Sequence, residues 1–488
     1  MIETNGPLHA YYKTAMLRLL WTPFLVAGLA ALTTTLPGEV PCCELRYDVR
    51  ADPGSSGVDV TLTLHGFRGE TLALVRESAR PLTGVLVRDP EVEGARRPRW
   101  DLLDGAPRWT FARPPGGWQD PIRITYRLAI TAERPLNAWS AGLDDDFLYA
   151  PAEALFLVPT MPDLAAKHAS VRVRWNLPRG WEALTGWDGD AFYGTRTLVK
   201  TNILAGEIAR HERSACGLAV ELGVAGDWDL EPEKLTAELS RLACAARHRL
   251  GAPGVDRFTV TLVPARFPMT SGNRNGPHAI GFVHHAPEGT PPTTRLLAHE
   301  IVHLWQQFDA ATWFQEGVND YLALRLAHEG GLLDDAAYAT HLAAIDSVYR
   351  DNPRRASWSF ADEAREAQPF GHSDGYLAYR KGAIVGLSLD RELRLRTGGE
   401  ADLALLWRAM NARAAWGHVT WSNEEIAARS AAMAEGSLGR FFENYVDGTT
   451  ELPRTEDLLA NLPPLPEPRP DPRGLSAVAA FLQATFDQ

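Results

Sequence analysis

The sequence predicts an α+β multidomain protein, in which an N-terminal antiparallel β-sandwich precedes a mainly helical domain. In the first half of the chain, short runs of alternating apolar and polar residues are separated by Gly, Pro and Asp clusters. In the second half, from about residue 213, apolar residues recur at helical spacing over much longer segments. Strands and helices segregated in this way favour an α+β architecture over a parallel α/β sheet.

The first residues, 1–43, have the pattern of an export signal. The apolar run from Leu17 to Leu32 follows the basic residue Lys13 and is interrupted by Arg18 and Pro23. A basic start and a short apolar stretch are typical of a secretory signal, whereas a membrane span takes about 20 apolar residues. We therefore expect an exported protein, periplasmic or secreted. The alternative is an uncleaved N-terminal anchor, which would be its one association with a membrane.

Residues 44–212 are predicted to form the β-sandwich. Strict alternation is clearest in the segments Val58 to Leu64 and Ile122 to Leu128. A period of two indicates strands with one buried face, and strands without intervening helices favour antiparallel packing. This half of the chain contains no recognisable catalytic motif.

Residues 213–455 are predicted to form the mainly helical domain, and residues 456–488 a proline-rich extended tail. A strand candidate, Phe258 to Val263, could belong to a small sheet beside the helices. The helix-length segments are Glu231 to Leu250, Thr293 to Phe308, Thr312 to His328, Asp334 to Tyr349, Asp374 to Arg396 and Ala401 to Asn411.

Charge and cysteine content exclude two classes of protein. The chain carries 49 Lys and Arg against 61 Asp and Glu, a net charge of -12, without a basic stripe. Nucleic acid is therefore not an expected partner, since it requires clustered basic residues. The four cysteines have no C-x-x-C spacing, which excludes a cysteine zinc site. Cys216 and Cys244 either form a disulfide or are two small buried residues.

An H-E-x-x-H motif, formed by His299, Glu300 and His303, carries the clearest chemistry in the sequence. Thr293 or Thr294 could cap a helix that contains it. Residues four apart share one face of a helix, so both imidazoles can hold one ion while Glu300 reaches the neighbouring water. The motif predicts one Zn²⁺ per chain, which needs a third protein ligand and an open position.

Glu316 is the predicted third ligand, because it lies in a second helical segment reached by a short connection. Asp320, one turn later on the same face, is predicted to accept a hydrogen bond from the non-ligating nitrogen of a zinc histidine. A rival metzincin pattern would use Asp309, but it requires Gly where this chain has Gln306. A further alternative is that these are ordinary polar residues of an amphipathic helix.

Motifs downstream of the zinc helix match one known family in order. They are W-F-x-E-G at 313–317, Y-R-K-G-A at 379–383, L-D at 389–390, F-F-E-N-Y-V-D-G-T at 441–449 and E-L-P at 451–453. Together they resemble the gluzincin metallopeptidase superfamily, and specifically the glycyl aminopeptidase family. The resemblance implies a thermolysin-like zinc peptidase domain that acts on a peptide or protein substrate. It also implies that Tyr379 donates a hydrogen bond to the developing oxyanion, with Tyr376 as the competing candidate.

The sequence departs from that family in three ways. Only residues 304–315 separate the second histidine from the glutamate ligand, a shorter insertion than the family usually has. The nearest match to the family's G-L-E-H stretch is residues 281–284, with Val283 where a glutamate would hold the substrate amine. Aminopeptidase specificity is therefore not expected. A C-terminal PDZ domain is not expected either.

The residues and the resemblance together predict hydrolysis of peptide bonds, with Glu300 as the general base. The alternative is a catalytically inactive, zinc-bound protein of the same fold that binds peptides or a partner. His278, His284 and His285 are predicted to lie in a Gly- and Pro-rich loop. There they would either contact substrate at the rim of the cleft or be solvated.

Overall fold

The computed structural model describes residues 43–460 and 462, apart from 77–83, 89, 104, 162, 227, 229–230, 253, 269, 286–292, 368–376 and 415–418. The predicted export signal lies outside the described residues, except for its last residue. So does most of the predicted tail, although its first residues are helical. None of the helices in this part of the chain combines the length and apolar character that a bilayer crossing requires.

The N-terminal half is built from three sheets whose strands are mostly antiparallel. One sheet has the order β14-β12-β1-β2-β8-β4, with β5 also paired to β8; the others are β13-β15-β10-β9 and β11-β3-β7-β6. Three short helices interrupt the strands: α1 (Ala152–Leu155), α2 (Asp163–His168) and α3 (Thr195–Val199). The strands are β1 (Glu44–Asp52), β2 (Gly57–His65), β3 (Thr71–Val75), β4 (Val85–Val87), β5 (Glu91–Val92), β6 (Arg99–Leu103), β7 (Ala106–Ala112), β8 (Ile122–Ile130), β9 (Gly142–Leu143), β10 (Phe147–Pro151), β11 (Val158–Pro159), β12 (Ser170–Asn176), β13 (Glu182–Thr185), β14 (Ala191–Tyr193) and β15 (Asn202–Gly206).

The alternating segments form strands as predicted, and their apolar residues face one core. In β2 and β8, which pair antiparallel, Leu62 lies opposite Ile124 and Val60 opposite Tyr126, and all four are buried. One pair of strands is not antiparallel, because β1 runs parallel to β12. Alternation shows which face of a strand is buried but not which distant strand becomes its neighbour, so the sequence could not show this pairing.

A five-stranded sheet belongs to the C-terminal half and has the order β16-β17-β18-β20-β19. Its strands are β16 (Ala209–Ala215), β17 (Leu218–Val224), β18 (Arg257–Pro264), β19 (Thr270–Arg274) and β20 (Ala279–His284). The three inner strands are parallel, and the edge strands β16 and β19 are antiparallel to their neighbours. A disulfide between Cys216 and Cys244 joins the β16–β17 turn to helix α4 (Pro232–Leu250).

The remaining helices pack against this sheet and against one another around a large apolar core. Two π-helical turns, Trp313–Val318 and Leu377–Lys381, directly precede α6 and α9. The helices are α5 (Thr294–Leu304), α6 (Asn319–Glu329), α7 (Asp335–Asp351), α8 (Phe360–Ala367), α9 (Gly382–Arg396), α10 (Leu403–Ala414), α11 (Asn423–Met433), α12 (Gly439–Tyr445) and α13 (Thr455–Leu459). Two short strands, β21 (Asp309–Ala310) and β22 (Thr420–Trp421), pair in parallel.

A buried ionic network fixes α6 to α9 and α10. The guanidinium of Arg325 on α6 donates to Asp390 at 3.0 Å, to Asp402 at 2.6 Å and to Glu329 at 2.8 Å. The hydroxyl of Tyr321 donates to the second oxygen of Asp390 at 2.7 Å. The network gives Asp390 of the L-D motif a structural role. It also holds α6 in place, the helix that begins shortly after the predicted metal ligand Glu316.

Lys381 joins two of the sequence motifs. Its side chain is fully buried, its ammonium donates to the carbonyl of Gly448 at 2.9 Å, and it lies 4.5 Å from the ring centroid of Phe360. The Y-R-K-G turn is therefore tied to the V-D-G-T segment by a single side chain. Burial lowers the pKa of Lys381 to about 8, although nearby carboxylates oppose the shift.

We expect Lys381 to make the free energy of unfolding depend on pH. The pKa in the folded protein, about 8, lies below the value of about 10.4 in an unfolded chain. Between these values the unfolded state binds more protons, so stability rises with pH by up to about 3 kcal/mol. Urea denaturation measures the free energy of unfolding of wild type and of Lys381→Met at pH 7 and at pH 10. Between these two pH values wild type should gain about 3 kcal/mol relative to the variant. A difference that is independent of pH would contradict the assignment.

Candidate metal centre

Helix α5 presents both predicted histidines on one face. Its N-cap is Thr293, whose hydroxyl accepts a hydrogen bond from the backbone N–H of Leu296. The apolar residues Leu297 and Ile301 anchor the opposite side of the helix in the core. The cap therefore determines where the helix starts, and the burial of its apolar face determines its rotation about the helix axis. Together they direct His299 and His303 to the same side of the helix.

The structure brings together the three predicted ligands. Atom Nε2 of His299 lies 3.1 Å from Nε2 of His303 and 3.2 Å from Oε2 of Glu316. The distance from Nε2 of His303 to the same carboxylate oxygen is 3.5 Å. Among the described residues, this is the group of histidine, cysteine and acidic side chains whose ligand atoms lie close enough to share an ion. The rival Asp309 lies on β21 and is not part of it.

Each histidine is oriented by an oxygen atom at its other ring nitrogen. Asp320 Oδ1 lies 2.9 Å from Nδ1 of His299, and Gln306 Oε1 lies 3.1 Å from Nδ1 of His303. The amide nitrogen of Gln306 donates to the carbonyl of Phe308, so its oxygen faces the ring. Both oxygens accept from an Nδ1–H group, which leaves both Nε2 atoms directed at Glu316.

This donor set fits a divalent cation. Two imidazole nitrogens and a carboxylate oxygen converge on one point, and such an arrangement needs a positive charge at its centre. Burial lowers the pKa of His299, but hydrogen bonds to Asp320 and Glu316 outweigh burial and raise it to about 10. Two histidines and one carboxylate are a ligand set that zinc accepts in catalytic sites.

Glu316 lies in a π-helical turn, not in the continuous helix that the sequence predicted for 312–328. The turn packs directly on the second one: a Cβ on Gly317 would meet the carbonyl of Ala378 and would lie 2.5 Å from Cα of Gly382. The two glycines of the E-G and K-G motifs therefore allow the backbones to touch. π-helical turns are frequent at functional sites, and these two carry Glu316 and Tyr379.

Glu300 is buried beside the histidines and lines a cavity of about 400 Å³. Burial raises the pKa of its carboxyl group above the ordinary value, although His299 and His303 oppose the shift. Strand β19 forms the opposite wall, where Gly272 faces the carboxyl group. A carboxylate that has a raised pKa and lies beside a metal site is well suited to accept a proton.

Gly272→Ala should reduce turnover without removing the metal. An added Cβ would lie 2.5 Å from Oε1 and 2.6 Å from Cγ of Glu300, so this flexible side chain has to move. We expect kcat to fall by about tenfold or more, since Glu300 is the predicted general base and such a base requires hydrogen-bond geometry. Zinc content and thermal stability should stay near wild type. Gly116→Ala is the matched control, because a Cβ there meets no atom within 4 Å; equal kcat in both variants would contradict the prediction.

Tyr379 lines the same cavity, with its ring stacked on His299 at a centroid distance of 6.1 Å. Burial and the carboxylate of Glu316 raise the pKa of its hydroxyl above the ordinary value. The hydroxyl therefore keeps its proton at neutral pH and remains a donor. The competing Tyr376 lies outside the described residues.

Sequence reasoning missed several residues that shape the site. Arg274, at the end of β19, donates to the carbonyls of His303 and Gln306 at 3.0 and 2.8 Å, and so caps the C-terminus of α5. Arg295 and Arg380 line the cavity. These contacts join segments that are distant in the chain, and the residue types alone gave no signal for them.

The prediction that His284 lies in a loop is wrong. Val283 does not line the cavity beside Glu300. Both lie in strand β20 and are buried, Val283 in a core cluster with Tyr149 and Leu204. The ring of His284 stacks on Trp228. His278 lines a separate cavity of about 730 Å³. The strand beside Glu300 is β19. Residues that contact a substrate in this cavity therefore come from β19 and from the helical segments, and not from β20.

Comparison with known proteins finds similarity in structure alone. No protein-family model matches the sequence, and no curated protein matches it. An aminopeptidase N family protein from Idiomarina loihiensis aligns with a TM-score of 0.70 and 17% identity, over 85% of this chain and 78% of that one. An M1 zinc metallopeptidase from Deinococcus radiodurans aligns at 0.52 and 18%, over 87% and 96%. A mutant of that enzyme bound to a Tyr-Ser-Ala substrate aligns at 0.53 and 18%, over 86% and 96%.

Identities this low establish the fold and no more. The predicted fold class is confirmed, since sheets in the first half and a largely helical second half match these two solved folds. The specific resemblance to the glycyl aminopeptidase family stays a prediction. The chain thus has the α+β fold of M1 zinc metallopeptidases.

Proposed function

We propose that this chain is a zinc-dependent peptidase of the gluzincin superfamily. The observation that carries the proposal is the convergence of His299, His303 and Glu316 beside the buried carboxyl group of Glu300. A binding module has no need for a proton acceptor next to a metal position. The fold neighbours support the same function, because they are named zinc metallopeptidases and one of them holds a peptide substrate.

Each residue has a role that follows from its position. His299, His303 and Glu316 would hold one Zn²⁺, which polarises a carbonyl group and makes water more acidic when it is bound. Glu300 takes the proton of the attacking water and passes it to the leaving nitrogen. Tyr379 donates its hydroxyl proton in a hydrogen bond to the oxyanion that develops. Asp320 holds the ring of His299 in place.

Tyr379→Phe tests the oxyanion role. The substitution removes one hydroxyl and keeps the ring that stacks on His299. Loss of one donor to an oxyanion lowers kcat by about 10²- to 10³-fold. KM and zinc affinity should change little, because the hydroxyl acts mainly in the transition state. A variant with unchanged kcat would remove Tyr379 from the mechanism, and kcat of Tyr376→Phe would then decide for the competing candidate.

Export is part of the proposal. The basic start and apolar run within 1–43 support a secretory signal. The disulfide between Cys216 and Cys244 agrees with an oxidising compartment, periplasmic or extracellular.

The deciding experiment measures zinc content and cleavage of a mixed peptide library by the same preparation. We expect about one zinc per chain, cleavage by the zinc-loaded protein, and loss of cleavage after chelation that zinc restores. The ends of the fragments then distinguish endopeptidase from exopeptidase action. Zinc binding without cleavage of any peptide would overturn the proposal in favour of a zinc-bound peptide- or partner-binding protein.

A further inference from the structure

A second cavity, the one of about 730 Å³ that His278 lines, lies between the two halves of the chain. Trp187 and Arg196 of the β-sandwich and Gln306 of the C-terminal half are among its walls. Its volume is typical of ligand sites, which measure about 300 to 1,000 Å³. Because Gln306 also orients His303, the second cavity adjoins the metal centre, although the predicted metal ligands are not among its described lining.

The second cavity has more positive than negative side chains. Arg196, Lys200 and Arg274 line it, and Asp309 is the acidic residue of its described lining. Lys200 is paired at 3.0 Å with Glu153, which is buried outside the lining. One carboxylate cannot balance the two guanidinium groups that remain, so the cavity favours an anionic ligand.

Both arginines keep N–H groups that are available to a ligand. Arg196 is exposed, and its side chain has no ion pair or hydrogen bond with another residue that the structure describes. Arg274 uses Nη1 for the carbonyls of His303 and Gln306, and its Nε and Nη2 donate to no acceptor among the described residues. A guanidinium presents its donors as a rigid fork that matches a carboxylate. The second cavity thus offers donors of the type that binds carboxylates.

Strand β19 connects the second cavity to the cavity beside Glu300. Gly272 lines the cavity beside Glu300 and faces its carboxyl group, whereas Arg274 lines the second cavity. These two residues of the strand are two positions apart, which corresponds to about 7 Å along an extended chain. A peptide whose scissile bond lies at Glu300 therefore reaches the second cavity with a residue about two or three positions away.

We propose that the second cavity binds an acidic side chain of the peptide substrate, two or three residues from the scissile bond, through Arg196 and Arg274. An Asp or Glu side chain supplies the carboxylate, whereas a Lys or Arg side chain would meet like charges there. This inference rests on the proposed peptidase function. It names the class of peptide that is selected and the residues that select it.

The test compares peptides that differ by one charge. A neutral peptide that the zinc-loaded, full-length protein cleaves is remade with Glu or Gln at one position at a time on both sides of the scissile bond. We expect kcat/KM to be about tenfold or more higher for Glu than for Gln, at positions two or three residues from the bond on one side. No preference, or a preference confined to the residues next to the scissile bond, would overturn the proposal.

Arg196 is the residue to substitute, since Arg274 also holds the end of α5. Arg196→Gln should remove the preference for Glu, with cleavage of the neutral peptide within about threefold of wild type. Arg196→Glu should replace it by a preference for Lys at the same position. Arg174→Gln, at an 80% exposed side chain of the β-sandwich, is the control and should keep the preference for Glu.

Two results with Arg196→Gln would overturn the proposal. Equal losses on acidic and neutral peptides would mean that Arg196 supports the fold of the site and does not recognise the substrate. An unchanged preference for Glu would mean that the carboxylate is bound elsewhere.

Calorimetry separates failure of this inference from failure of the proposed function, because binding needs no turnover. Peptide pairs that differ by one Glu or Gln are titrated into the zinc-loaded protein, the metal-free protein and Arg196→Gln. If no peptide is cleaved, tighter binding of the Glu peptide that is lost in Arg196→Gln still supports the carboxylate site. Equal affinities within each pair would overturn it, whether or not the protein is a peptidase. Succinate that binds as tightly as the Glu peptide would also overturn it, because the ligand would then be a free acid.

Discussion

Glu300→Gln will abolish most peptide hydrolysis and leave zinc bound. General acid–base catalysis by a positioned side chain contributes about 10²- to 10⁴-fold, so kcat should fall within that range. Glutamine has nearly the same shape but cannot accept the proton of the attacking water. It also keeps the size of the side chain that lies against Gly272. Single-turnover rates and metal content should be measured on the same sample.

The control for this substitution is Glu212→Gln, at an exposed position on β16. It makes the same chemical change outside the cavity and should leave kcat unaltered. The prediction for Glu300 has a second part, because burial raises the pKa of its carboxyl group. Removing a buried, partly uncompensated acid should not lower thermal stability, and it can raise it. Normal turnover in Glu300→Gln would refute the proposed mechanism, even if zinc is present.

The sequence predicted those parts of the site that depend on local spacing. His299 and His303 share a helical face because they are four residues apart, and Thr293 caps that helix as its position suggested. Asp320 follows Glu316 by the same spacing, and the structure places it against His299. Such relations need only helix geometry, and they hold even though Glu316 lies in a wider, π-helical turn.

The parts that sequence reasoning missed depend on contacts between distant segments. Strand β19 is short and rich in polar residues and glycine, so it shows no alternation, yet it forms the wall of the cavity. Inner strands such as β20 are buried on both faces and also lack alternation. The role of Gly272 follows only when β19 lies beside Glu300. Likewise, the meeting of Arg295 and Arg380 at Asp320 joins three separate elements.

Contacts between distant segments also explain why the motif match at residues 281–284 was misleading. The sequence does not show that the strand beside Glu300 is β19 and not β20. The match placed Val283 at the position of an amine-binding glutamate, but this side chain packs in the core. The absence of a glutamate at position 283 therefore does not bear on aminopeptidase specificity, because this position does not line the cavity. A residue aligned to a motif is evidence on specificity only where its strand forms the wall of the cavity, as β19 does.

Glu316→Ala will remove the metal and activity together. The carboxylate lies 3.2 and 3.5 Å from the two histidine Nε2 atoms, and its loss leaves two ligands where a stable zinc site needs three from the protein. Residues that only orient the ligands cost about 10- to 100-fold in affinity, so a ligand itself should cost more than about 100-fold. Competition with a chromophoric chelator measures this affinity directly. Hydrolysis should fall to background at zinc concentrations that saturate wild type.

Asp309→Ala is the matched control, because Asp309 is the rival carboxylate on β21 and lies outside the cluster. It should bind zinc as wild type does. Thermal unfolding gives an independent readout: zinc that binds the native state raises Tm in proportion to the logarithm of its concentration. We expect this rise in wild type and Asp309→Ala and not in Glu316→Ala. If Asp309→Ala loses zinc and Glu316→Ala retains it, the third ligand has been assigned to the wrong residue, and the metzincin pattern would replace it.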